Sequence, residues 1–368
     1  DSKHIRERLR RRFGTQSIRA ADLLAAIGRD CVGAVQLVPH GAQPPAHNHI
    51  DSTALSEAQV ASLLRDVTSD NPGDGSLDDF RISIAGAQEK TALLKIGKRW
   101  HIPHGATPTT HIFKLPMGLV GNMRADMSTS VENEWVCATI LSELGFEVAP
   151  TEMGHFGNQK ALIVERFDRR WAEGGDWIAR LPQEDFCQAT GTAGDLKYES
   201  DGGPGIKTGL ALLAGSSQAQ VDSLRFAMAQ LAFWLMAATD GHAKNFSIFL
   251  ERGGGYRMTP LYDVLSVWPI IGNSPDQLAY RRAKLAMAIR NKNTHYSLYE
   301  IRTRHWLGLA EKCGVPDGFD QMVGMVLQVP AALDRVGAML PPGFPEKVFR
   351  TIRDGMVMQA GRFVDGLQ

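Results

Sequence analysis

The apolar run Leu231-Ala-Phe-Trp-Leu-Met-Ala-Ala238 is followed at once by Thr239-Asp-Gly-His-Ala-Lys-Asn-Phe246. A buried segment that stops on an acid must deliver that acid to the edge of a core, because an unpaired carboxylate is costly to bury. A histidine, a lysine and an asparagine then follow Asp240 before the chain turns apolar again. The fold therefore has to end a core helix at a polar loop and leave that loop accessible.

At 368 residues the chain is long enough for two cores. Hydrophobic residues make up 43% and charged residues 22%, ordinary values for a globular protein. Forty basic residues balance forty acidic ones, so no global field draws in nucleic acid or membrane. The basic stretch Lys3–Arg12 reads as a solvated helix face. Cys31, Cys137, Cys187 and Cys313 are scattered without a Cys-x-x-Cys pair, which argues against a disulfide framework or zinc site and predicts a cytoplasmic setting. No uninterrupted apolar run approaches the roughly 18 residues that span a bilayer.

Residues 1–78 read as a helical and connecting region, 79–168 as a strand-rich region with a phosphate loop, and 169–368 as a helical region with the catalytic loop. Short runs at 81–84, 91–96, 110–115 and 160–165 predict strands. Helices are expected near 56–66 and over 130–144. Strands with one helix, followed by a helical region, describe an α+β protein with segregated lobes.

Phosphoryl transfer needs a carboxylate to accept the hydroxyl proton, an Asn five positions later and a second Asp to hold Mg²⁺ against the phosphates. Asp240 and Asn245 have that spacing, and Asp263 closes a predicted hairpin, Phe246–Leu250 with Tyr256–Asp263, which returns it toward Asn245. Upstream, Gly86 lies between Ala85 and Ala87 in the stretch Ser83–Lys90, where backbone N–H groups can approach anionic oxygens. Lys114 stands alone in an apolar strand and needs an anionic partner. Thr129-Ser-Val-Glu132 fits a capping box, which leaves inward-facing Glu134 as that partner.

Taken in order, "SIAGAQEKTALL" (83–94), "TPTTHIFKLP" (107–116), "SVENE" (130–134), "VERFDRRW" (164–171), "RLPQEDFCQATG" (180–191), "KYESDGGPGI" (197–206), "TDGHAKNFS" (239–247) and "TPLYDVLS" (259–266) resemble the HipA-type serine/threonine protein kinases, toxins of bacterial toxin–antitoxin pairs. The resemblance covers the chain from about residue 20 almost to its end. It implies a two-lobed kinase-like fold related to phosphoinositide kinases, with a mixed β N-lobe, an all-helical C-lobe, and use of ATP and Mg²⁺. It implies Asp240 as proton acceptor, Lys114 on the phosphates, and Asn245 with Asp263 as metal ligands. Nucleotide contacts carry over to Ala85, Gly86, Ala87, Gln88, Glu89 and Lys90, to Lys114, to Glu165, Arg166 and Phe167, to His242, Ala243, Lys244 and Asn245, and to Tyr262 and Asp263. Ser83 matches the autophosphorylated serine, where a phosphate would bring a charge of about −1.5 to −2 to the loop and switch the enzyme off.

In such a family the target is glutamyl-tRNA synthetase, and its phosphorylation stalls translation and induces persistence. The partner is a HipB-like helix-turn-helix antitoxin. Residues after Trp306, including Glu311 and Gly314, lack the basic positions that touch operator DNA, so DNA contact is expected mainly through the antitoxin. Family members carry a small domain before the point where this sequence begins, so residues 1–78 read as a remnant of the family's N-terminal part, with truncation suggested first and a split system second. Asp185–Thr190 and Tyr198–Ile206 match the family and read as packing and loop structure. The rival reading is a catalytically idle ATP-binding subunit of an antitoxin–DNA repressor complex; a small-molecule or lipid kinase is a further one.

Overall fold

The structure, a computed structural model, describes residues 3–38, 40, 41, 43, 46–68 and 88–368. The expected strand 81–84 and Ser83, Ala85, Gly86 and Ala87 lie outside the described residues. The chain packs as two compact units, residues 1–117 with 150–183, and 118–149 with 184–368.

The first unit is built on an antiparallel sheet. Its strand order is Ser52–Ala54, Arg99–Pro103, Lys90–Ile96, His111–Lys114, Gln159–Glu165, Thr151–Phe156. Strand side chains alternate between faces. One face receives the helix Glu57–Thr68, whose Val60, Leu63 and Leu64 pack with Leu93, Ile102, Phe113, Phe156 and Ile163. The other face carries Lys90 and Lys114, opposite one another in the ladder. The N-terminal segment forms helices Lys3–Phe13 and Ala20–Ile27, while Val32, Val35, Leu37 and Val38 are exposed. The basic helix is not purely solvated, because Arg8 forms an ion pair with Glu89.

The second unit centres on the helix Ala219–Met236, in which every residue from Ala229 onward is buried. The helix Ser130–Glu143, read from the sequence as interrupting the strands, contributes Val136, Cys137, Ile140 and Leu141 to this core. Thr129 makes no side-chain cap, so the expected capping box does not form. The C-lobe is not all-helical. It holds the hairpin Ser247–Leu250 with Tyr256–Met258, and a second, Lys284–Arg290 with Thr294–Ser297. Residues 284–290 form a strand buried from Leu285 to Ile289, and such a short apolar run has no period that separates it from helix. The helix Gly318–Met339 is long and apolar enough to cross a membrane, but it buries Met322, Met325, Val326, Val329 and Leu333 in the protein core.

Candidate active site

The helix Ala219–Met236 ends at Ala237, whose φ of 50° is left-handed. Ala238 N–H then returns to the Phe233 carbonyl at 2.8 Å, which satisfies one of the orphan acceptors of the helix end. The next turn needs a glycine for space: a Cβ on Gly241 would lie 2.5 Å from the Phe233 ring. This turn leaves Asp240 exposed and draws His242, Ala243 and Asn245 inward, all three buried.

Asp240 is held by a residue whose role the sequence reading missed. Tyr198 Oη donates to Asp240 Oδ1 at 2.5 Å, while His242 Nε2 stands 4.0 Å from Oδ2. Tyr198 and His242 meet edge to face, their rings 5.1 Å apart. Burial, then the bond to Asp240, raises the Tyr198 phenol above its ordinary range, so it stays a donor. Burial lowers the His242 imidazole below its usual value against the pull of Asp240, which favours the neutral ring. One Asp240 oxygen is thus committed to Tyr198 and the other faces solvent and a neutral ring. The only sequence signal for Tyr198 was its place in "KYESDGGPGI".

Asn245 and Asp263 do meet. Asn245 Nδ2 donates to Asp263 Oδ2 at 3.2 Å and lies 3.4 Å from its carbonyl. The Asn245 Oδ1 is buried and finds no donor among the described residues. Asp263 has φ 61°, a left-handed conformation that costs a non-glycine residue about 1–2 kcal/mol. A buried amide oxygen in want of a cation, beside a carboxylate, is a hard-oxygen pair that fits Mg²⁺. Among the described residues no cluster of three His, Cys, Asp or Glu could hold a metal, so the remaining ligands would be phosphate oxygens and water. Tyr262 fixes the hairpin from below, its hydroxyl 2.9 Å from the Lys244 carbonyl and 2.6 Å from Ser247 Oγ. Asn133 locks the chain beyond Asp263 by pairing with both the N–H and the carbonyl of Ser266, at 2.9 and 2.7 Å.

In the first unit, Lys114 is buried on its strand, and Gln88 Nε2 donates to the Leu115 carbonyl at 2.6 Å. Glu134 is 3% exposed on a helix of the second unit, inward as its spacing predicted. Glu165 is exposed, whereas the Arg166 guanidinium is committed elsewhere. It binds Asp30, Asp168, Thr109 and the Cys31 carbonyl, so a nucleotide contact at 165–167 does not come from that side chain.

The profile of the HipA-like C-terminal domain matches residues 82–333, and that of the HipA N-terminal domain matches residues 1–38. The chain belongs to the HipA family. The HipA-family chain is 33% identical over 297 residues to putative kinase Y4mE of Sinorhizobium fredii, a match covering 80% of this chain and 66% of that protein. It is 30% identical over 338 residues to the serine/threonine-protein kinase toxin HipA of Shewanella oneidensis, covering 87% of this chain and 71% of that protein. It thus spans about two thirds of the length of these curated relatives. The solved Shewanella oneidensis complex of HipA, HipB and operator DNA matches with a TM-score of 0.77 and 26% identity, over 98% of this chain and 82% of that one. The Helicobacter pylori kinase CtkA shares the fold alone, at a TM-score of 0.51 and 15% identity, over 80% of this chain and 92% of that one. These neighbours bear out the α+β, kinase-like class.

Proposed function

We propose that this chain is an ATP- and Mg²⁺-dependent serine/threonine protein kinase, the toxin of a type II toxin–antitoxin pair. The observation that carries the reading is the unpartnered, buried Asn245 Oδ1 beside the strained Asp263, on the same loop system as an exposed, Tyr198-bound Asp240. A buried amide oxygen without a protein donor, next to a carboxylate, is open to a cation.

Asp240 Oδ2 takes the proton of the target serine as that serine's oxygen bonds to the γ-phosphorus and the bond to the β-phosphate oxygen breaks. Tyr198, bound to Oδ1, fixes the rotamer of the base. Asn245 and Asp263 would hold Mg²⁺, which would supply neutralisation of phosphate charge when bound. Lys114 contacts the phosphates and Glu134 pairs with it, while Ala85–Lys90 cradle the phosphates and Glu165–Phe167, His242–Lys244 and Tyr262 contact the rest of the nucleotide. Ser83 is the autophosphorylation site that ends activity. The protein target is glutamyl-tRNA synthetase, the setting is cytoplasmic, and the outcome is stalled translation and persistence. The partner is a HipB-like antitoxin, through which operator DNA is reached. The names of the relatives support a kinase toxin with a HipB-like partner, and the finer assignments rest on the motif match.

Incubation with Mg²⁺ and ATP, followed by phosphate mapping by mass spectrometry, tests the reading. Phosphate on Ser83 that is missing in Asp240→Ala is the expected result. Bound ATP with no phosphate on this chain or on glutamyl-tRNA synthetase would overturn it in favour of an idle ATP-binding subunit.

A further inference from the structure

The first unit contains a pocket of about 310 Å³ bounded by Lys95, His111, Glu165, Arg169, Arg170 and Trp171. It lies away from the proposed phosphate contacts. His111 opposes Leu93 and Glu165 in the ladders, and Lys95 is two residues beyond Leu93, so Lys95, His111 and Glu165 share one face of the sheet. Lys90 and Lys114 occupy the opposite face.

The wall of this pocket is short of negative charge. Among the described residues, Arg166, Arg169 and Arg180 are paired with only two carboxylates, Asp30 and Asp168, and no side chain in this cluster is more than 8% exposed. Three guanidinium groups against two carboxylates leave one buried positive charge uncompensated, a costly state in a low-dielectric interior. The carbonyls of Cys31 and Gly33 accept hydrogen bonds from the cluster without supplying charge. Burial, then Arg166, pushes the Arg169 guanidinium down to about 10. Arg169 Nε is buried and has no acceptor among the described residues.

The remaining lining does not cancel the surplus. Lys95 meets Glu152 at 2.8 Å, and Arg170 is offset at most by Glu165. His111 adds an imidazole whose Nδ1 sits 2.8 Å from Thr110 Oγ1, a hydroxyl that also accepts from the Lys95 N–H at 2.9 Å. Trp171 supplies an apolar side.

We propose that this pocket is a binding site for a small oxyanion, a carboxylate or a phosphate, whose charge compensates the buried arginine surplus. The site shares no side chain with Asp240, Asn245, Asp263 or Lys114, and it adjoins the proposed nucleotide-contacting segment at Glu165 and Arg166.

The test is calorimetric titration of the full chain with inorganic phosphate and, separately, acetate, at ionic strength held constant with chloride. Saturable one-to-one binding of at least one anion is expected, and which of the two binds identifies the source. Arg170→Ala should weaken it by about tenfold or more, the effect of losing one charged hydrogen bond. Arg170→Lys should restore part of the loss, and Lys114→Gln should leave binding unchanged. The proposal fails if neither anion saturates, if Arg170→Ala binds like the parent chain, or if Lys114→Gln abolishes binding, which would put the anion on the other face of the sheet.

Discussion

Asp240 and Asn245 show how neighbouring polar residues are given different work by what surrounds them. Asp240 is solvent-facing with one oxygen tied to Tyr198, whereas Asn245 is buried with one oxygen left unbonded. Asp240→Ala should abolish phosphoryl transfer while ATP binding survives, read by a kinase assay beside calorimetry. Tyr198→Phe keeps the ring packed on His242 and removes only the hydroxyl. A fall in kcat of about tenfold with KM for ATP unchanged is expected, the worth of roughly one hydrogen bond to a charged group. An unaltered kcat would make Tyr198 a packing residue. Asn245→Ala should raise the Mg²⁺ concentration for half-maximal activity by about tenfold or more, and an unchanged Mg²⁺ titration would remove it from the metal pair.

At the level of elements, the loop after the helix Ala219–Met236 is placed by contacts on both sides. Gly241 has room for no Cβ because Phe233 stands behind it. Gly241→Ala should cost about 1–3 kcal/mol of stability, the usual price of overpacking, and a thermal midpoint equal to the parent's would show that the ring simply moves. Asn133 closes the other side through its two bonds to Ser266. The helix Ser130–Glu143 therefore serves the loop as well as the core, which its amphipathic spacing alone did not disclose.

Across the whole chain, charge is balanced in total but not in place. The first unit buries an arginine–aspartate cluster that joins Asp30, near the N-terminal helices, to Arg166 and Asp168 at the exit of a sheet strand. Asp30→Asn should cost about 3–5 kcal/mol by leaving three buried guanidinium groups with one carboxylate. A urea midpoint within error of the parent's would contradict that. Between about pH 6.5 and 4, acid acts through histidines of lowered pKa. Burial with Lys95 lowers His111 to about 4, and burial with the stacked His295 lowers His305 to about 4. A histidine whose folded value lies below its unfolded value near 6.5 stabilises the fold above that pH and loses the contribution as pH falls toward the folded value. Stability should therefore decline from about pH 6.5 to pH 4, and His305→Asn, which keeps an acceptor for the Arg302 N–H, should flatten the slope measured by urea unfolding at each pH.

The sequence by itself determined the family, strands at 91–96, 110–115 and 160–165 that the fold places within a residue, and the spacing of Asp240, Asn245 and Asp263. Each of these rests on local pattern: apolar periodicity, a helix that must stop, and a hairpin short enough to bring an acid back. Only the tertiary structure decided that Tyr198 holds Asp240, that Arg166 turns away into a buried ion cluster, and that residues 284–290 form a strand. Tyr198 and Asp240 are 42 positions apart, and Arg166 and Asp30 are 136 apart. Partners at that separation leave no periodicity in a single sequence, because what selects them is the desolvation that forces buried polar groups to find one another only after the chain has packed.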